Sequence, residues 1–179
     1  QAARLREDLC QWLDDEQVMT FPAADALPYE HMSQGAEVIA DRLRVLQLLR
    51  RWRMGEVDPA APVPVIVAPI KALLQPTLPP LALDAAIRTV TVNTQDDPRA
   101  LLQHWTNLGY TNVAAVEAPG EVSSRGGIID IYPFTENAPL RIEFFGDEIE
   151  SIRRFDPVTQ RSDKGRARTV AVLPPHEAP

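Results

Sequence analysis

The chain has 179 residues, 45% apolar and 24% charged, with a formal net charge of −7, which suits one large or two small globular domains. That acidic balance argues against tight non-specific DNA binding by the whole segment, because such binding draws on many neutralised phosphates; a local basic patch is left open. A single cysteine (Cys10), three scattered histidines (His31, His104, His176) and no apolar run of about eighteen residues exclude an internal disulfide, a clustered metal site and a membrane helix, and point to a cytoplasmic protein.

The chain opens on a helix in which Leu5, Leu9, Trp12 and Leu13 recur at helical spacing. Val18 to Phe21 is a short apolar strand. Pro22 to Gly35 is a loop carrying Leu27-Pro28-Tyr29-Glu30, and Ser33 is placed to cap a second helix over 36–52. Ile39, Leu43, Leu46 and Leu49 form that helix's buried stripe. Val63 to Ala68 is a nearly unbroken apolar run, the pattern of a strand covered on both faces, and Ile70 to Leu74 makes a helical turn. Strand, helix, strand is a βαβ unit. Two strands make a poor parallel sheet, so this half is expected to be a fragment or an incomplete α/β domain.

Seventeen prolines cluster at 59–64, 76–80 and 174–179, where linkers and loops are expected. Beyond them Ile87 to Val92 alternates as a strand. Asp97-Pro98 is a helix start; Leu101, Leu102, Trp105 and Leu108 are its apolar face, and Gly109 its stop. Asn112 to Val116 reads as a strand. A three-stranded meander follows over 127–133, 140–145 and 148–155, with a two-residue turn at Gly146-Asp147. Thr169 to Leu173 is a last strand, expected to return to the first domain. The divisions are thus 1–83, 84–156 and 157–179: an incomplete α/β domain, a small α+β domain and a return segment.

Catalytic chemistry finds little purchase. No G-x-x-x-x-G-K-[ST] loop exists, and Lys71 and Lys164 are the only lysines, so nucleotide hydrolysis by this segment is not expected. Asp147, Glu148 and Glu150 surround an exposed turn. Ser123, Ser124 and His104 lack a nucleophile elbow. The segment is read as a non-enzyme with no cofactor.

The meander carries the binding reading. Along Arg141-Ile142-Glu143-Phe144-Phe145, alternation sends Ile142 and Phe144 one way and Arg141, Glu143 and Phe145 the other. The outer set joins two favoured interface residue types, arginine and an aromatic, and Arg125, just before the first meander strand, can join them. Two readings stand: a protein-binding surface, or solvated arginines with Phe145 tucked under a loop. Likewise Arg42, Arg44, Arg50, Arg51 and Arg53 of the second helix are either a nucleic-acid contact or the helix's wet face.

The stretch Gly-Glu-Val-Ser-Ser-Arg-Gly-Gly-Ile-Ile-Asp-Ile-Tyr-Pro-Phe from Gly120, with Leu-Arg-Ile-Glu-Phe-Phe-Gly-Asp-Glu-Ile-Glu-Ser-Ile-Arg-Arg-Phe from Leu140, resembles the UvrB-homology region of the bacterial transcription-repair coupling factors (Mfd). Leu27 to Glu30, Arg42-Leu43 and Leu173 to Glu177 fit the same family. The resemblance implies a P-loop-like α/β domain with a degenerate nucleotide site, then a UvrA-binding α+β domain. It places the UvrA contacts on Arg125, Arg141 and Phe145. It implies a parent protein that is an ATP-dependent DNA translocase, contacting RNA polymerase, DNA and its own other domains through regions outside this chain. UvrB shares the domain and is the alternative. Its tyrosine-rich insertion corresponds here to a short loop with Tyr29 alone, which favours the coupling factors.

Overall fold

The structure, a computed structural model, describes residues 2–24 and 35–177. Leu27 to Glu30 and the expected cap Ser33 lie outside the described residues. The chain divides into a first unit that runs to Pro80 and takes in Glu177, and a second unit, Leu81–His176. Among the described residues no helix is long and apolar enough to cross a membrane.

In the first unit, helix α1 (Ala2–Leu9) ends before Trp12, which is exposed rather than part of an apolar stripe. Strands β1 (Val18–Thr20) and β2 (Val65–Val67) pair in parallel, Val18 opposite Val65, with helix α2 (Ala36–Arg53) between them in sequence. This is the expected α/β unit. Its core is small, built on Phe21, Val45 and Ala72. Two expectations for α2 fail: Leu49 is exposed, while Arg42 is buried. The run at β2 is also less covered than expected. Val67 points to the interior and Ile66, one residue back on the opposite face, stays exposed. Helix α3 (Ile70–Leu73) closes the unit.

Helix α4 (Pro80–Ala86) occupies part of a segment expected to be linker. Pro80 takes the first helical position, where a missing N–H leaves nothing unpaired. Strand β3 (Arg88–Thr91) follows, then helix α5 (Pro98–Asn107), whose start is as the sequence dictates: the Asp97 carboxylate accepts from the Arg99 amide at 2.9 Å, and Pro98 opens the helix. After the helix the backbone turns at Gly109, with φ at +104, and the His176 ring sits where a β-carbon would stand. A side chain there would meet both obstacles.

The five-stranded sheet runs in the order β4 (Thr111–Asn112), β5 (Glu121–Arg125), β6 (Ile128–Ile131), β7 (Leu140–Phe145), β8 (Glu148–Arg154). β4 is parallel to β5 and the rest are antiparallel. The strand expected over 112–116 is only β4, and β5 is a strand the sequence pattern does not mark, so Arg125 ends a strand rather than preceding one. Inward from the sheet point Val122, Ile129, Ile131, Leu140, Ile142, Phe144, Ile149 and Ile152, sharing one buried cluster with Leu101 and Trp105 of α5. On β8 the inward residues are three apart because Glu150 is the extra residue of a bulge: Glu143 faces Ser151, and Phe144 faces Ile149. Strand β9 (Thr169–Val172) does not return to the first unit. It pairs antiparallel with β3, Val170 opposite Val90, and both valines join the second unit's core.

Tyr110, buried in that core, donates its hydroxyl to the Leu173 carbonyl at 2.7 Å. Burial pushes the phenol well above its ordinary value. The neutral form is therefore the one the fold favours. That stability is complete below the unfolded phenol's pKa of about 10 and is lost as pH climbs from there toward the raised folded value. Tyr110→Phe is expected to cost about 1 kcal/mol at neutral pH and to flatten the alkaline loss, as read by urea denaturation at pH 7 and in the alkaline range.

Candidate protein-binding face

The candidate surface is the outer side of the five-stranded sheet. Register places Arg125, Ile128, Glu143 and Ser151 in one row across β5 to β8, and Ser123, Asp130, Arg141 and Arg153 in the next. Phe145 stands beyond them at the end of β7, opposite Glu148. The hairpin turn that follows uses Gly146, at φ +63, as its first residue.

Phe145 does not tuck under a loop. It is 80% exposed, whereas Phe144, one residue back, is buried in the core. Single exposed hydrophobics are ordinary, and Val158 and Leu81 of the same unit are as bare. Phe145 differs in standing on a sheet face with Arg125, which is also exposed.

Arg141 departs from the expectation. It shares the outer face with the other two, but its side chain is only 12% exposed and does not stand free in solvent. Its guanidinium donates twice to Asp130, Nε to Oδ1 and Nη2 to Oδ2, both at 2.8 Å. Its Nη1 reaches the Gln160 carbonyl at 3.1 Å and the Ser162 hydroxyl at 3.3 Å. The cation also lies over the Phe155 ring, 4.5 Å from its centre. Asp130's hydrogen bonds push the guanidinium further above its ordinary value. Arg141 is a largely covered clamp on the buried Asp130.

The cover over Arg141 is built locally. The Asp156 carboxylate accepts from the Val158 and Thr159 amides at 2.9 and 2.7 Å. Those bonds, Thr159's first, hold it below the usual carboxylate range. The turn ends at Gln160, with φ at +59, whose side chain donates to the Val116 carbonyl at 3.0 Å. Ser123 donates to the Ala114 carbonyl at 3.2 Å. The outer face thus has a covered end, around Ser123, Asp130 and Arg141, and an open end bearing Arg125 and Phe145.

The α2 arginines do not form a free basic row. Arg42 lies inside the first unit, Arg44 pairs with Asp41 at 3.1 Å, and Arg50 pairs with Glu56 at 3.3 Å.

Residues 89–177 match the family described as the UvrB interaction domain. The transcription-repair-coupling factor of Bacillus subtilis (strain 168) is 36% identical over 163 residues, which is 90% of this chain and 13% of that protein. That of Staphylococcus epidermidis (strain ATCC 12228) is 33% identical over 163 residues, 91% of this chain and 13% of that protein. The chain belongs to the transcription-repair-coupling factor family. A third member, from Mycobacterium tuberculosis (strain CDC 1551), is 35% identical over 145 residues, covering 81% of this chain and 12% of that protein. The chain therefore spans about an eighth of the coupling factors it matches, and within that span it carries the family's UvrB-like module.

Proposed function

We propose that this module recruits UvrA by presenting a UvrB-like face, and so brings excision repair to stalled RNA polymerase. The observation that carries the reading is Phe145, bare on the open end of the sheet while its neighbour Phe144 is buried. Arg125 supplies a cation on the same face. Arg141 contributes from beneath, by fixing the covered end. On this reading the ATP-driven translocase and the contacts to polymerase and DNA belong to the rest of the parent protein.

The experiment is a calorimetric titration of UvrA with wild type, Phe145→Ala and Arg125→Ala. An exposed aromatic at the centre of an interface is worth roughly 2 kcal/mol or more, so Phe145→Ala is expected to weaken binding about thirtyfold. Its melting temperature should not move, because the ring touches little of its own fold. Unchanged affinity in Phe145→Ala would remove this face from the proposal.

A further inference from the structure

Sequence alternation did not single out Arg153. It stands on β8 directly opposite Arg141, on the same outer face. The two guanidiniums are treated differently by their surroundings. Arg141 is committed to Asp130, Gln160 and Ser162. Arg153 has a buried Nε with no hydrogen-bond partner among the described residues. Its Nη2 is 3.8 Å from the Glu143 carboxylate, beyond hydrogen-bond distance. The Glu143 oxygen it faces already accepts from the Ser151 hydroxyl. The Arg153 side chain remains 29% exposed.

A guanidinium in this state is incompletely satisfied. It has donors to spare, is held near a carboxylate that another group already uses, and has an opening to solvent. Its planar fork is matched to one incoming carboxylate. Resting on the reading of this face as the UvrA contact, we infer that Arg153 is a further partner-contacting residue, pairing with a carboxylate of the partner, and that Glu143 is its placeholder in the free protein. Arg141 is then a positioning residue, and the cations offered to the partner are Arg125 and Arg153. They stand three strands and one row apart, roughly 16 Å. Asp147 and Glu148 lie at the other side of Phe145. The partner's acidic group therefore belongs over the arginine side and not over the hairpin tip.

The test is a titration of UvrA against wild type, Arg153→Ala, Glu143→Gln, the double variant and Phe145→Ala, each checked for unchanged melting. Arg153→Ala is expected to weaken binding about tenfold. Glu143→Gln, which frees the guanidinium, is expected to tighten it, and that gain should vanish in the double variant. If Phe145→Ala loses affinity while Arg153→Ala stays within about twofold of wild type, Arg153 does not touch the partner and the inference fails alone. A Glu143→Gln gain that survives without Arg153 overturns the placeholder role. Absence of wild-type binding would instead take away the reading of the face itself.

Discussion

Arg141→Ala is expected to cost the second unit about 3–5 kcal/mol, the usual result of removing one partner from a buried ion pair. The cause is what stays behind. Asp130 is 7% exposed and would lose both of its 2.8 Å donors. The Gln160 carbonyl and Ser162 hydroxyl lose their donor as well, and Phe155 loses the cation above its ring. Urea denaturation followed by Trp105, which is fully buried in this unit, would measure the loss. The double variant Asp130→Leu/Arg141→Met is expected to recover most of it, because exchanging both charges for apolar groups of similar size is often neutral. If Arg141→Ala melts like wild type, the clamp carries no weight and Arg141 regains its place as a free contact. With the clamp in force, any loss of UvrA binding by Arg141→Ala must be measured where the variant is still folded.

What the sequence conveys about this face is its parity. Period-two alternation correctly separated Ile142 and Phe144 from Arg141, Glu143 and Phe145. Parity says which way a side chain leaves the strand and nothing about what covers it there. The cover comes from a turn fifteen or more residues downstream, built on Asp156 and Gln160, whose geometry no strand pattern encodes. One signal was available. Asp130 sits in Ile-Ile-Asp-Ile, and a carboxylate inside so apolar a strand is nearly always paired when buried. Following that residue would have led to a cation on the neighbouring strand, hence to Arg141. Arg153 was hidden by the bulge at Glu150, which resets the alternation along β8.

Elsewhere the same division holds. The cap at Asp97, the glycine stop at Gly109 and the turn at Gly146 are local chemistry and were readable residue by residue. The partner of β9 is not local. A four-residue alternating strand looks alike whether it pairs with β3 or returns to the first unit, and burial of Val170 and Val172 is compatible with either. Helix α4 was missed because a proline cluster marks a helix start as readily as a linker. Strand β5 was missed because Glu-Val-Ser-Ser-Arg has a single apolar residue, and backbone pairing with β6 supplies what its side chains do not advertise.

Arg42 presents the second large effect. Its charge alone makes it read as solvent-facing, although it lies three residues after Ile39 and four before Leu46 on the apolar face of α2, and its side chain is 2% exposed. Its Nε and Nη2 donate to the two oxygens of Glu177 at 2.5 and 2.9 Å. Nη1 donates to the Pro22 carbonyl at 2.8 Å, and the cation stacks 4.2 Å from the centre of the Phe21 ring. Gln75, also within reach of Nη1, closes on Ala24 through both its amide nitrogen and its oxygen at 2.7 Å. One side chain thus fastens the segment after β1, helix α2, the stretch after α3 and the residue Glu177. Arg42→Ala is expected to remove about 3–5 kcal/mol from a unit whose apolar core is small. That is comparable with all the stability a core of such size supplies. The expected result is loss of the 18-residue α2 helix, seen as a fall in far-ultraviolet circular dichroism, while the Trp105 transition of the second unit is retained. Arg42→Lys should not rescue it, since an ammonium cannot span both Glu177 oxygens, reach Pro22 and stack on Phe21 together. Retention of the helix signal in Arg42→Ala would mean that the apolar contacts of Phe21, Val45 and Ala72 hold the first unit without the arginine.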